Sequence, residues 1–296
     1  MASYWTPAGS RYRISADAGQ IWGEEKSFPD VCVVGPTGIA LSDGTVLYFS
    51  TNGSCKRFVK KNKPLEFSRT LSTDDFLHYE QAGTATVYLP NPTDEIISGV
   101  MDFAPIFERG RCVELDNGDL LALMFGDIEG DVGIRVMIVK SNDQGKTWHY
   151  RATVAHYDGD PNPELPGEFP GYSENSLALL PNGQLLAVMR TLGGGELPCF
   201  RPLYCSWSDD LGKTWTKPTP TKPHLNSIWP ILATLDNGVI ACLYSRPGVH
   251  VAFSTDTGLT WGNQITLSDT VLSCLEQGDL IKVGHNKLLA LAYMGE

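Results

Sequence analysis

Arginines and carboxylates recur at comparable points of this sequence, beside apolar runs of strand length. Arg190 follows Leu185-Leu186-Ala187-Val188-Met189, Arg246 follows Val239-Ile240-Ala241-Cys242-Leu243-Tyr244-Ser245, and Arg109 stands just before the strand that leads into the turn at Asn117-Gly118. Several guanidinium groups around one cavity suit a bound carboxylate, because each offers two parallel donors and never loses its charge. Such a set implies an acidic small molecule as ligand; taken singly, each arginine is as well explained by a pair with a neighbouring Asp or Glu. Asp131 lies ten residues before Ser141 on a loop containing Gly126, Gly130 and Gly133. That setting suits a mobile acid delivering a proton to a leaving group, with a solvated acidic loop over Asp127 to Asp131 as the plainer alternative. Glu174 opens an apolar strand behind the Pro-rich loop from Asp158 to Tyr172. There it either ionises a neighbouring hydroxyl or acts as counterion of Arg190. Tyr172, two residues earlier, is on the same side of an extended chain and within reach of that role.

The elements that position these groups are legible from repeats. Ser-x-Asp-x-Gly-x-Thr-Trp is complete at Ser141 to Trp148, Ser208 to Trp215 and Ser254 to Trp261; Ser15 to Trp22 lacks only the Thr, and Ser72 to Tyr79 is a degenerate copy. Asp caps backbone N–H groups in a tight turn, Gly supplies a positive φ, and the terminal aromatic tucks into the core. Hairpin turns fall at Asp43-Gly44, Asn117-Gly118, Asn182-Gly183, Asn237-Gly238 and Gly284-His285-Asn286. A hairpin followed by a staple makes a four-stranded sheet, and the staple aspartates Asp17, Asp74, Asp143, Asp210 and Asp256 recur 46 to 69 residues apart.

These features predict an all-β chain, one domain over residues 1–296: a β-propeller of four-stranded blades, five by count with six also compatible. Two strands from each terminus share the last blade and remove an open edge. A two-sheet sandwich is the alternative. Within a blade, hairpin turns and staples share one face. The opposite face gathers Asp30, Glu108-Arg109, Tyr172-Ser173-Glu174, Asn226-Ser227 and Glu276-Gln277 from before the first strands. From after the second strands come Asn52, Asp127 to Asp131, Arg190, Arg246 and Tyr293.

Composition narrows the function classes. Lys plus Arg is 23 against 34 for Asp plus Glu, a net charge of −11 that disfavours nucleic acid and anionic membrane surfaces as partners. With 42% hydrophobic and 19% charged residues the chain is globular rather than disordered, and no apolar run reaches the length of a membrane span. Seven scattered cysteines without a Cys-x-x-Cys pair, and no leader-like start, lead to an expectation of reduced thiols in the cytoplasm.

The staples and their spacing resemble the sialidase superfamily with its Asp-box, or BNR, repeats, best over residues 100 to 296. The resemblance implies an exo-acting glycoside hydrolase that removes a terminal acidic sugar from sialylated or other acidic glycans, with no metal or organic cofactor. It assigns the sugar carboxylate to Arg109, Arg190 and Arg246, the acid to Asp131, and a Glu-activated tyrosine to Glu174 and its partner. Arg109-Gly110-Arg111 departs from the family's Arg-Ile-Pro, leaving Arg111 as a substitute. The family tyrosine stands before the last inner strand, where this chain reads Leu275-Glu276-Gln277-Gly278-Asp279-Leu280. Tyr172 or Tyr293 would then supply the phenol, or water would attack with Glu174 or Glu276 as base and invert configuration. A carbohydrate-binding propeller without the nucleophile and a scaffold with a vestigial pocket are the alternatives.

Overall fold

The structure, a computed structural model, describes residues 2–6, 9–27, 37–50, 64–73, 80–90, 105–107, 112–128, 130–131, 133–157, 171–191, 201–226, 228–245, 247–269 and 277–293. Every regular element among them is a strand. β1 (Ala2–Thr6), β2 (Gly9–Arg13) and β3 (Lys26–Ser27) form a three-stranded sheet. β4 (Thr37–Ala40), β5 (Val46–Ser50), β6 (Leu65–Ser72) and β7 (Glu80–Tyr88) form an antiparallel run. The next run places β8 (Ile106–Phe107) and β9 (Val113–Glu114) together on β10 (Leu120–Gly126), which pairs with β11 (Arg135–Ser141) and then β12 (Thr147–Ala155). Two four-stranded sheets follow: β13 (Tyr172–Leu179), β14 (Leu185–Thr191), β15 (Tyr204–Ser208), β16 (Thr219–Pro220), then β17 (Ile228–Thr234), β18 (Ile240–Ser245), β19 (Val249–Ser254), β20 (Gly262–Ser268). β21 (Gln277–Gly284) and β22 (Lys287–Tyr293) close the chain as a hairpin.

Successive sheets pack face to face through their first and second strands, so these strands are apolar on both sides. Every residue of β10 and β14 is buried. Each Leu, Met or Phe so covered contributes about 1.5–3 kcal/mol of transfer free energy. Four core clusters result, one within the nine-stranded sheet formed by β4 to β12 and others between neighbouring sheets: Leu121, Ile138 and Leu177 meet Leu185 in one of these, and Leu186, Leu232 and Cys242 meet Trp261 in another.

The hairpin turns have one geometry. At the first four, a leucine N–H donates to the carbonyl four residues on, and the glycine N–H returns to that leucine: Leu115 to Asp119 at 2.8 Å and Gly118 to Leu115 at 2.8 Å are typical. Gly44, Gly118, Gly183 and Gly238 hold φ between 80° and 85°. The staples are likewise alike. Around Asp143, the Ser141 hydroxyl donates to Oδ1 at 2.8 Å and accepts from Gly145 N–H at 2.9 Å. Thr147 donates its N–H to Oδ1 and its hydroxyl to Oδ2 at 2.9 and 2.6 Å. The same set recurs around Asp210 and Asp256.

Each staple is also seated on the sheet before it. The residue preceding the staple glycine is left-handed at Gln144, Leu211 and Thr257, with φ of 57°, 58° and 63°. Its carbonyl is captured by a long-range donor: Arg69 on Gln144 at 3.0 Å, Arg151 on Leu211 at 2.8 Å, Trp207 Nε1 on Thr257 at 2.8 Å. The glycine itself fits because a Cβ at Gly145 or Gly258 would come within 2.7 Å of Phe49 or Leu186.

Two features differ from the sequence reading. The first two four-stranded runs are fused into one nine-stranded sheet, because β7 and β12 pair in parallel through Thr86 with Thr147, Val87 with Trp148 and Tyr88 with His149. The terminal strands were expected to share a sheet. Among the described residues they are hydrogen-bonded separately, since β1 takes the edge of β2 that β22 was expected to pair with. They meet instead by packing, where Leu289 lies under Gly19. Of the degenerate copy, residues 74–79 fall outside the described residues.

The staple carboxylates predict an acid transition. The Thr214 N–H, then the Thr214 hydroxyl, hold Asp210 at about 2. At Asp143 and Asp256 burial raises the value, but the bonds from Thr147 and Thr260 outweigh it and the net shift is downward. A carboxylate depressed in the folded state stabilises above its unfolded value of about 4, and that stability is lost as pH falls through the folded value. In urea titrations Asp210→Asn is therefore less stable than the parent at neutral pH, with the gap closing towards pH 2; a gap that stays constant would contradict this.

Candidate functional site

Opposite the hairpin turns and staples lies a mouth, where β10, β14 and β18 end and β13 and β17 begin. Both starting strands are irregular there: the register of β13 on β14 shifts between Tyr172 and Asn175, and that of β17 on β18 between Ile228 and Ile231. Such irregularities re-aim side chains out of the ladder. Below them the two strands are tied by the buried Ser176 hydroxyl, which accepts the Leu232 N–H at 3.0 Å.

At the irregularity the structure brings Glu174 and Arg190 together. Arg190 Nη1 donates to Glu174 Oε1 at 2.7 Å, with only 9% and 12% of the two side chains exposed. Glu174 Oε2 accepts the Trp229 N–H at 3.4 Å, so one carboxylate joins two sheets. This is the counterion role left open for Glu174 by the sequence. The pair does not use all the polar capacity at the mouth. Among the described residues, Arg190 Nε, Ser173 Oγ, Asn175 Oδ1 and Ser245 Oγ are buried with no hydrogen-bond partner. Buried polar atoms of this kind each cost about 1–3 kcal/mol, and their concentration at one end of adjacent strands marks a place built for something other than packing.

Asp131, expected as a mobile acid, is instead held fast. Arg135 begins β11 and folds back over the loop, gripping both carboxylate oxygens, with Nε on Oδ2 at 2.6 Å and Nη2 on Oδ1. The Ile128 N–H adds a bond to Oδ2 at 3.1 Å, and Arg135 is braced on Thr153 Oγ1 at 2.7 Å. The spacing of four residues from Asp131 to Arg135 was visible in the sequence. Tyr172 is buried in the core, its ring edge-on to Tyr204 at 5.8 Å between centroids. Its N–H donates to Ile134 O at 3.0 Å, a contact so close that a Cβ on Gly171 would lie 2.1 Å from that oxygen. Arg109, Arg111, Arg246 and Glu276 lie outside the described residues, as do the side chains of Gln277 and Tyr293.

Sequence reasoning missed Arg201 and Trp229. Arg201 precedes β15 at the mouth and is buried; burial lowers its pKa, opposed by the charge of Tyr204. An arginine set directly before an apolar strand was the available signal. Tyr244, beside the position of Arg246, is pushed up to about 12 by burial, with its hydroxyl donating to Gln264 at 2.8 Å, so it stays protonated at neutral pH. Among the described residues no group of three His, Cys, Asp or Glu side chains is arranged to hold a metal ion. Cys112, Cys205 and Cys242 carry free thiols, and burial raises all three.

Removing Glu174 alone leaves Arg190 buried and unpaired. Glu174→Ala is expected to cost about 3–5 kcal/mol in equilibrium unfolding, and Glu174→Met with Arg190→Met to recover most of it. A single variant as stable as the parent would show that the pair does not bridge the sheets.

Comparison with known proteins bears on this arrangement. A search of curated protein sequences finds no match. Among solved structures, a protein of unknown function from Dyadobacter fermentans is 18% identical, with a TM-score of 0.68 over 97% of this chain and 80% of that one. A Hadza microbial sialidase is also 18% identical, with a TM-score of 0.62 over 92% of this chain; the match spans 54% of that longer protein. An α-L-arabinofuranosidase of Fusarium graminearum, solved with arabinobiose, is 17% identical, with a TM-score of 0.56 over 87% and 73% of the two chains. The similar structures are β-propellers, and the succession of sheets packed face to face through their first and second strands is that fold. The sequence profile of the BNR repeat-like domain matches residues 43–273, which takes in every sheet from the first hairpin turn to β20, and the chain belongs to that family.

Proposed function

We propose that the mouth binds the acidic end of a glycan and that the protein is an exo-acting glycoside hydrolase of sialidase type. The observation that carries this reading is the Glu174–Arg190 pair, buried at the mouth, where among the described residues Arg190 Nε, Ser173 Oγ and Asn175 Oδ1 have no partner. A guanidinium whose charge is fixed by one carboxylate and whose remaining donor is dry is prepared for a second acceptor. Arg109 and Arg246 complete the carboxylate site in this reading. Asp131 serves as the acid, once substrate displaces it from Arg135; Glu174, the counterion of Arg190, and Tyr172, buried against Tyr204, must part from those partners to act as the nucleophilic pair.

The sialidase and arabinofuranosidase among the similar structures support a carbohydrate ligand. We also read six positions around the ring: Gly19 sits on Leu289 of β22 as Gly145 sits on Phe49 and Gly258 on Leu186, each a second strand of the preceding sheet. The N-terminal sheet then follows the C-terminal hairpin as a blade of its own.

A second reading, glycan binding without hydrolysis, is favoured by the grip of Arg135 on Asp131. Fluorogenic sialosides and glucuronides separate the two. Turnover is expected, with Arg190→Lys, which keeps the charge beside Glu174 but loses the parallel donors, slower by about 100-fold while remaining folded. Binding of acidic sugars without turnover would establish the second reading; neither binding nor turnover would remove both.

A further inference from the structure

We propose that Trp229 is a sugar-contacting residue at the mouth, presenting the flat apolar face of its indole to a pyranose ring of the glycan; this rests on the functional reading above and adds a residue to its site. The backbone makes the case. Seven non-glycine residues among those described hold a positive φ. Ala18, Gln144, Leu211 and Thr257 are the turn residue before a staple glycine, while Asn263 and Asn286 are the residue type that tolerates this conformation best. Trp229, at a φ of 45°, has neither excuse. A bulky side chain is costly there, and Pro230 restricts the preceding residue further. Strain of this kind persists only where the surroundings over-determine it, and it concentrates at binding sites.

The surroundings are those of the candidate site. The Trp229 N–H is held by Glu174 Oε2, the carboxylate that also holds Arg190, and the register shift of β17 spans Trp229 and Pro230. Within that strand Ile228, Pro230, Ile231, Leu232 and Ala233 are buried, whereas Trp229 keeps part of its surface at the mouth. The described residues therefore place a partly exposed tryptophan one hydrogen bond from Glu174, the partner of Arg190, and among those residues Arg190 Nε, Ser173 Oγ and Asn175 Oδ1 are buried without a partner. A sugar offers both faces this combination needs: hydroxyl and carboxylate oxygens for the polar atoms, and axial C–H groups for an aromatic plane.

Calorimetric titration with sialyllactose and with a glucuronic-acid-terminated disaccharide tests this on the whole chain. The parent is expected to bind at least one of them. Trp229→Ala and Trp229→Gly should each weaken that binding by at least about 10-fold, and Trp229→Phe should retain most of it. The Gly variant should melt above the Ala variant, because glycine relieves the positive φ that alanine does not. Ligand should shift the intrinsic fluorescence of the parent and leave that of Trp229→Phe unchanged, a signature that a merely structural tryptophan would not give. If the parent binds and Trp229→Ala binds equally well, or if the fluorescence shift survives in Trp229→Phe, this proposal falls and the functional reading stands. If the parent binds neither sugar, both fall.

Discussion

One repeated contact holds the sheets of this protein in their angular order: a side-chain donor of one sheet captures the carbonyl of the left-handed residue that precedes the staple glycine of the next. Arg69, Arg151 and Trp207 do this for three successive staples. The hydrophobic faces between sheets supply most of the stabilisation, but apolar contact is non-directional and leaves neighbouring sheets free to slide. A donor 50 to 75 residues away that must meet one carbonyl does not. The glycine beside it lets Phe49, Ile138 or Leu186 lie flush against the turn, so a polar fix and an apolar seat coincide at each joint.

That joint determines what the opposite end can be. With the staples pinned, strand starts and ends at the mouth are set by strand length and by the register shifts in β13 and β17. The shifts let Ser173, Glu174 and Trp229 leave the alternation of the pleat while Ser176 and Leu232 below them hold the strands in place. Precision at the mouth thus comes from rigidity elsewhere, which is how a site with several buried, unsatisfied polar atoms is sustained in a chain of marginal net stability.

What the sequence disclosed followed the range of the interaction. The hairpin turns and staples are decided by residues within eight positions of each other, through Gly at positive φ and Asp reaching forward to Thr, and those among the described residues stand where they were expected. Arg190 beside Glu174 was also readable, since both flank one hairpin. The parallel pairing of β7 with β12, the seat of Leu289 under Gly19 and the role of Arg69 were not, because each joins segments whose partners no local pattern names. Trp229 left no trace in composition or spacing: a tryptophan at the start of an apolar strand reads as core, and only its backbone angle sets it apart.

The two gripped carboxylates weigh differently on the chemistry. Glu174 is buried between sheets and answers a buried guanidinium, so its charge is part of the fold and its loss exposes Arg190 to the full cost of desolvation. Asp131 is gripped by an arginine four residues on, at the start of β11. A local pair of that kind can be exchanged for another without moving a sheet, because Arg135 keeps Thr153 as a second partner when the carboxylate leaves. Any ligand oxygen that accepts from Arg135 is the natural competitor, since it replaces the acceptor that Asp131 supplies. Under the proposed function, proton donation by Asp131 then waits on a ligand that takes its place on Arg135.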